Sequence, residues 1–94
     1  MGRPVFSVVW QRIQNNAGQH FETKRGVQFA YTMEADGFFP QGRNHRIDIS
    51  DIENAYRNVP CEGPSQISRG VREVRGSSYL WAVLHDHRIR QNDW

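Results

Sequence analysis

Hydrophobic and polar positions alternate at the start of the chain, and this pattern predicts a first β-strand. In residues 5–13, with the sequence VFSVVWQRI, Phe6, Val8 and Trp10 share one side of an extended segment. β-Branched and aromatic residues of this kind favour strands. The next residues, NNAGQ, predict a turn.

A hairpin is predicted over residues 20–33, where the apolar positions alternate on both sides of Lys24-Arg25-Gly26. A glycine that ends a three-residue loop suits the left-handed backbone of a bulged hairpin. Residues 34–37 predict a second turn, and Pro40 then predicts a strand end or a sheet edge. Residues 46–49 predict one more short strand.

The hydrophobic period changes near Ser50, where two helices are predicted in place of strands. Ser50 and Glu53 have capping-box spacing, and this first helix should run to about Asn58, before a proline. Ser77 or Ser78 is the expected N-cap of the last helix, whose residues 79–84 are apolar nearly all round, so Leu80, Trp81 and Leu84 are expected in the core. His85, Asp86, His87 and Arg88 should finish that helix, and residues 91–94 should fray unless Trp94 docks.

Strands followed by helices, without βαβ alternation, predict an α+β domain. We expect an antiparallel sheet of about four strands with two short C-terminal helices packed on one face. At 94 residues the chain is expected to form a single domain, residues 1–94. Only 37% of the residues are hydrophobic, but three Trp, three Tyr and five Phe can bury large areas, so a folded domain is expected.

Cysteine usage and hydropathy bear on location. Cys61 is the only cysteine, so it cannot form an internal disulfide, and this fits a reducing cytoplasm. No stretch has the length of a membrane span and the first residues do not resemble a signal peptide. We therefore expect a cytoplasmic protein with no membrane partner.

Charge is distributed unevenly although the net charge is only +2. Residues 1–33 carry four basic and one acidic residue, residues 34–62 three basic and six acidic, and residues 63–94 five basic and three acidic. All the basic residues except Lys24 are arginine, which forms bidentate contacts with phosphates and carboxylates. Arginine enrichment also follows from GC-rich coding, so surface solvation and internal ion pairs remain an alternative.

The basic residues suggest a nucleic-acid surface, because several of them fall on turns and near a helix start. Lys24 and Arg25 are at the predicted hairpin tip, Arg43 and Arg46 flank a loop, and three arginines recur before the last helix. The predicted nucleic-acid-binding residues are Lys24, Arg25, Arg43, Arg46, Arg69, Arg72, Arg75 and Ser77. The expected partner is DNA or RNA.

Catalytic chemistry has less support, and whether the chain is an enzyme is left open, with a non-enzymatic role favoured. His85 and His87 are two residues apart and do not share a helical face, so helix capping explains them as well as metal binding does. Cys61 and His85 could approach each other, as a cysteine and a histidine can in many small domains. No phosphate-binding, zinc-protease or nucleophile-elbow motif is found. No cofactor, metal site or catalytic residue is predicted.

Two other binding roles stay open. Phe38, Phe39 and Trp94 are the aromatic residues expected to be exposed, and they would serve a protein interface or a homodimer. A pocket for a small ligand, lined by Trp10, Tyr31, Tyr56 and Trp81, is the third possibility, although an unfilled core costs stability.

Three segments carry a resemblance to known sequences: GQHFETKRGVQFAY, RIDISDIENA and RGSSYLWAVLHDHRI, within residues 18–89. Together they resemble small uncharacterised bacterial proteins of the mobile gene pool, including integron gene-cassette products, and short segments that precede endonuclease modules. The resemblance implies a bacterial accessory protein and assigns no catalytic residues. The sequence thus predicts a small non-enzymatic binding module, with nucleic acid as the expected partner.

Overall fold

The computed structural model of this protein describes residues 3–42, 46–64, 67 and 76–94. Helices and strands mix along the chain, and the fold is a small α+β arrangement. The elements, in chain order, are α1 (Phe6–Asn15), β1 (Phe21–Glu22), β2 (Gln28–Phe29), β3 (Tyr31–Glu34), β4 (Gly37–Pro40), β5 (Ile47–Asp48), α2 (Ile49–Arg57), α3 (Ser77–His85) and α4 (His87–Arg90).

The first element is a helix, so the prediction of a strand over residues 5–13 is wrong. Val9 and Ile13 are buried, and Phe6 and Trp10 pack against the core beside them. These four positions are spaced i, i+3, i+4 and i+7, which is the buried stripe of an amphipathic helix. The same residues also contain a short period-two alternation, and packing of the helical stripe outweighs the strand preference of the valines.

The predicted hairpin is present as β1 and β2, in which Phe21 pairs with Phe29. Its loop closes through Thr23, whose N–H donates to the Val27 carbonyl at 2.9 Å and whose hydroxyl accepts from the Val27 N–H at 3.0 Å. Gly26 has a φ of 89°, the left-handed conformation expected at that position. Local turn chemistry therefore predicted the turn correctly, whereas residues 31–33, expected in the same hairpin, belong to β3.

A separate sheet of three antiparallel strands has the order β3-β4-β5. The described residues thus form a two-stranded and a three-stranded sheet, not one sheet of about four strands. Phe38 lies in the central strand, opposite Met33 on one side and Ile47 on the other. At Gly37 the strands approach so closely that a Cβ would lie 2.1 Å from the Ile47 carbonyl oxygen. Pro40 ends β4, as expected.

Helix α2 begins earlier than predicted and has no capping box. Asp48 is its N-cap residue and makes no side-chain capping bond, because its carboxylate instead accepts from Arg46 Nε at 2.8 Å. Ser50, the predicted N-cap, lies inside the helix. The predicted end of this helix near Asn58 is confirmed, because Asn58 is its C-cap.

The last helical region is two helices, α3 and α4, separated at Asp86. The N-cap of α3 is Gly76, and Ser77 and Ser78, the predicted N-caps, lie inside the helix. Glycine suits this position because its backbone has a φ of 80° and because a Cβ there would lie 2.8 Å from Ile47 Cδ1. Asp86 is extended and caps α4 by accepting from the Arg88 N–H. The expected single helix through Arg88 is therefore interrupted at this residue.

Within the described residues, the core lies between the two sheets and the four helices, each of which contributes buried side chains. Its largest fully buried side chains are Tyr31, Phe38, Ile13, Ile52, Ile67, Leu80, Leu84, Ile89, Val9 and Val83. Trp94 docks on it: the indole N–H donates to the Leu84 carbonyl at 2.9 Å and the ring meets Tyr56 edge-on at 4.9 Å. The chain end is therefore held against the core by Trp94.

Candidate functional site

Half of the predicted nucleic-acid-binding residues can be placed. Arg43, Arg69, Arg72 and Arg75 lie outside the described residues. Lys24, Arg25 and Arg46 are exposed, and Ser77 is half-buried in the first turn of α3. The placed residues come from the β1–β2 hairpin, the segment before β5 and α3.

Lys24 leans from the hairpin loop onto α3. Its ammonium group is 5.7 Å from the centre of the Trp81 ring and also donates to the main-chain carbonyl of Glu62. A cation over an indole ring is attracted by the ring quadrupole. Lys24 therefore joins the hairpin, the loop of residues 60–64 and α3.

Arg46 and Ser77 each adjoin one residue of a contacting pair. Ile47, next to Arg46, approaches Gly76, next to Ser77. Arg46 forms an exposed ion pair with Asp48, which is worth little in water and leaves the guanidinium available to another anion. Lys24 thus lies over α3 at Trp81, whereas Arg46 directly precedes the residue, Ile47, that packs against Gly76 at the start of α3.

Trp81 and His85 form a stacked pair on the half-buried side of α3. Their ring centres are 4.5 Å apart and the planes differ by 21°. The indole N–H of Trp81 donates to the Cys61 carbonyl at 3.0 Å. We call Lys24, Trp81, His85 and Cys61 the loop–helix cluster.

Both ring nitrogens of His85 are used by the main chain. Nδ1 is 2.8 Å from the Trp81 carbonyl and therefore carries the proton, while Nε2 accepts from the Cys61 N–H at 3.1 Å. This arrangement requires the neutral ring. Burial lowers the pKa of His85 below its ordinary value of 6.5, outweighing the bond to the Trp81 carbonyl, and Arg90 lowers it further.

The Cys61 thiol is not arranged as a nucleophile. Its sulfur donates to the Gly63 carbonyl at 3.5 Å, and burial raises its pKa above the ordinary value of 9.0. The imidazole nitrogen that could accept the thiol proton already accepts from the Cys61 main chain. The sequence correctly suggested that Cys61 and His85 could meet, but the contact supports the loop and gives no activated thiolate.

Several arginines to which the sequence pattern assigned no binding role donate to main-chain carbonyls within the molecule. Arg3 donates to Tyr56 and Val59, Arg12 to Ile89 and Arg88 to His20; Arg90 donates to Trp94. Most of these contacts span more than fifty positions of sequence. Spacing alone could not have identified them, and they show that much of the arginine content is structural.

Arg88 has the most complete set of contacts. Its Nε and an Nη are 2.9 and 3.0 Å from the two carboxylate oxygens of Asp86, and its guanidinium carbon is 4.2 Å from the centre of the Phe21 ring. Burial of Asp86 opposes its ionisation, yet the hydrogen bonds and charge of Arg88 outweigh burial and lower the pKa of Asp86. His87, by contrast, projects into solvent with 91% of its side chain exposed.

The predicted interface residues do not form an exposed aromatic patch. The expectation that Phe38 is exposed is wrong: it is fully buried because it occupies the central strand and packs on Tyr31 at 4.8 Å. Phe39 is half-buried, and Trp94 is docked against Tyr56. The large hydrophobic residues that are exposed within the described ranges include Val5, Val8 and Val27.

The rings proposed to line a ligand pocket contact different partners. Trp10 stacks on Phe6, Tyr56 meets Trp94, and the Tyr31 hydroxyl donates to the Ile13 carbonyl at 2.7 Å. They fill the core in separate places. In the part of the chain that the structure describes, no three His, Cys, Asp or Glu side chains are grouped as metal ligands, and no helix is long and apolar enough to cross a membrane.

Comparison of the chain with protein-family models, with curated proteins and with solved structures gave no match. A function for this chain must therefore be inferred from the geometry of its described residues.

Proposed function

We propose that this protein is a small binding module that contacts nucleic acid through the surface around α3. The observation that carries the proposal is that Lys24 of the β1–β2 hairpin lies over α3 and that a second exposed cation, Arg46, adjoins a residue that packs at the start of this helix. Lys24 lies over Trp81, and Arg46 lies next to the residue that packs against Gly76. Lysine and arginine at such positions contact phosphates, and main-chain N–H groups at the start of a helix add neutral donors.

The structural arginines limit the strength of the proposed contact. Arg3, Arg12, Arg88 and Arg90 already bind carbonyls inside the molecule, so they contribute less to an external phosphate. Lys24, Arg25, Arg46 and Arg57 remain as exposed cations in the described ranges, and the proposal assigns the first three to binding. The proposed binding is therefore modest in affinity and sensitive to salt.

Salt dependence tests this proposal. Labelled single- and double-stranded DNA and RNA would be titrated with the protein by fluorescence anisotropy at several salt concentrations. Each phosphate contacted on duplex DNA contributes about −0.9 to the slope of log K against log salt. A slope of about −3 is expected if Lys24, Arg25 and Arg46 alone contact phosphates. A steeper slope of about −6 is expected if Arg43, Arg69, Arg72 and Arg75 contact phosphates as well.

Arg25→Gln and Arg57→Gln form a matched pair for this measurement. Both change one exposed arginine, but Arg25 lies at the hairpin tip and Arg57 at the end of α2. Arg25 has no hydrogen bond or ion pair within the described residues, so its replacement leaves the fold intact. Arg25→Gln should weaken binding and flatten its salt slope by about one unit, and Arg57→Gln should not.

The arginines before α3 are tested separately. We expect the Arg69→Ala, Arg72→Ala and Arg75→Ala changes to weaken binding and flatten its salt dependence further. Absence of binding to every DNA and RNA probe at low salt would overturn the nucleic-acid proposal. The same proposal assigns the protein to a bacterial cytoplasm as an accessory protein, which the resemblance to integron gene-cassette products and the single cysteine support.

Self-association is the second candidate function. Val5 and Val8 are 70% and 41% exposed, and they lie three residues apart at the start of α1. Val5 is the extended N-cap residue and Val8 lies in the first turn, so together they would form a small apolar contact in a homodimer. Light scattering after size-exclusion chromatography tests this candidate. A protein that stays monomeric at every concentration, with no difference between the wild type and Val5→Ser, would exclude self-association.

A further inference from the structure

We propose that His85 is a pH-sensitive latch, which holds the loop of residues 60–64 on α3 while its ring is neutral and releases that loop when the ring is protonated. The inference does not depend on nucleic-acid binding. It rests on the hydrogen bonds of His85 and on the way the loop is attached to the rest of the molecule.

The loop is fastened to α3 by a small set of hydrogen bonds. The Cys61 N–H donates to His85 Nε2 at 3.1 Å, and the Cys61 carbonyl accepts from the Trp81 indole at 3.0 Å. One residue further on, the Glu62 carbonyl accepts from Lys24. His85 is the member of this set whose role changes from acceptor to donor within the pH range of ordinary buffers.

Protonation of His85 converts one of its contacts into a repulsion. Nδ1 donates to the Trp81 carbonyl at 2.8 Å in either state. Nε2, once protonated, would point its own N–H at the Cys61 N–H, and neither group would have an acceptor. Because a buried donor without a partner is costly, the ring can be protonated most easily when the loop has moved away and water has entered.

Among the charged groups around His85, Arg90 also disfavours protonation of the ring. Arg90 on α4 disfavours a second positive charge, and Lys24 brings another cation to the stacked Trp81 from the hairpin. Asp86, the neighbouring carboxylate, is engaged by Arg88 through two hydrogen bonds. Cys61, whose pKa is raised, stays uncharged at acidic pH. His87 points into solvent and is 91% exposed, so it lies outside this cluster.

Reactivity of the Cys61 thiol reports the release, because the thiol belongs to the loop. The reagent would be a dipyridyl disulfide, which reacts at acidic as well as neutral pH, and each rate would be divided by that of an unstructured cysteine peptide at the same pH. For a single proton coupled to opening, the open fraction rises by up to tenfold per pH unit below 6.5, the ordinary pKa of histidine. We expect the normalised rate to rise by about tenfold between pH 7 and pH 5.

Two variants separate the latch from general acid effects. His85→Gln cannot be protonated and should give a normalised rate that does not change over this pH interval. His87→Gln, the matched control two residues away, should keep the wild-type response. A flat wild-type rate, or an identical rise in His85→Gln, would overturn the proposal.

An NMR titration of the wild-type protein decides the matter if His85→Gln does not fold. The pKa of the His85 ring should lie below the ordinary value for histidine. The chemical shift of the Cys61 amide should change, and the amide should lose protection from hydrogen exchange, with the same pH midpoint. A Cys61 amide that stays protected while His85 titrates would also exclude the latch.

Discussion

Arg88 illustrates how single side chains connect this molecule. It binds both carboxylate oxygens of Asp86, the main-chain carbonyl of His20 and the face of Phe21. The planar guanidinium can make these contacts together because its donors are fixed in one plane. Arg88 therefore attaches the start of the β1–β2 hairpin to the cap of α4.

Replacing Arg88 should destabilise the protein more than loss of a surface charge would. We expect Arg88→Ala to lower the free energy of unfolding by about 1–3 kcal/mol, because hydrogen bonds to charged groups are lost and Asp86 loses its partner. Arg88→Lys should recover only part of this loss, since an ammonium cannot bind both oxygens and the carbonyl in one plane. Urea unfolding of both variants, with Arg57→Ala as the exposed control, measures whether their stabilities follow this order. Equal stability of Arg88→Ala and Arg57→Ala would contradict it.

At the scale of elements, β4 and β5 approach each other closely at Gly37. A Cβ at Gly37 would overlap the Ile47 carbonyl oxygen at 2.1 Å, and a backbone atom cannot move aside without shifting the strand. At Gly63 the nearest atom is the end of the Lys24 side chain, at 3.3 Å from such a Cβ. The two glycines therefore differ in how readily their surroundings can adjust.

Gly37→Ala and Gly63→Ala test this difference. We expect Gly37→Ala to destabilise the protein by about 1–3 kcal/mol, because it forces β5 and the start of α2 away from β4. Gly63→Ala should change stability by less than about 0.5 kcal/mol, as for an ordinary surface change. Thermal unfolding followed by circular dichroism measures both. Comparable losses would indicate that the strands adjust more easily than the geometry implies.

The end of the chain is also part of the packed structure. Trp94 donates to the Leu84 carbonyl and contacts Tyr56, and Asp93 forms an ion pair with Arg12 of α1 at 2.7 Å. We expect Trp94→Ala to cost about 2 kcal/mol, somewhat below the range for a fully buried tryptophan because this ring is only half-buried. Trp94→Phe should keep the ring contact but lose the hydrogen bond, so its stability should lie between those of the wild type and Trp94→Ala. Wild-type stability in Trp94→Ala would mean that the tail is not held.

Some elements controlled by local chemistry could be predicted from the sequence, although the serine caps expected for α2 and α3 were wrong, and elements controlled by distant packing could not. Gly26 identified the hairpin because its left-handed backbone is a local requirement. The α1 helix was mistaken for a strand because Phe6, Val9, Trp10 and Ile13 form a stripe whose value appears only against the core. In the candidate site, the exposure of Lys24 followed from its turn, but its position over Trp81 did not.

At the scale of the whole molecule, the titrating groups define a pH range of greatest stability. The pKa of His85 is lowered by burial, so the unfolded chain binds its proton more readily and stability falls as pH drops below 6.5. The pKa of Asp86 is lowered by Arg88 against the effect of burial, so its contribution is present above 3.8 and is lost at lower pH. At alkaline pH, burial raises the pKa values of Cys61, Tyr31 and Tyr56, so stability should fall as pH rises past 9.0 and then 10.0.

These shifts predict a stability profile with a plateau between about pH 7 and 9 and two distinct acid steps. The upper acid step belongs to His85, and His85→Gln should remove it while leaving the lower step in place. Asp86→Asn should do the reverse, because an amide keeps the cap but cannot titrate. Urea midpoints measured at half-unit pH intervals resolve the two. If His85→Gln removed neither step, the neutral His85 ring would not be coupled to folding, and the upper acid step would belong to another group.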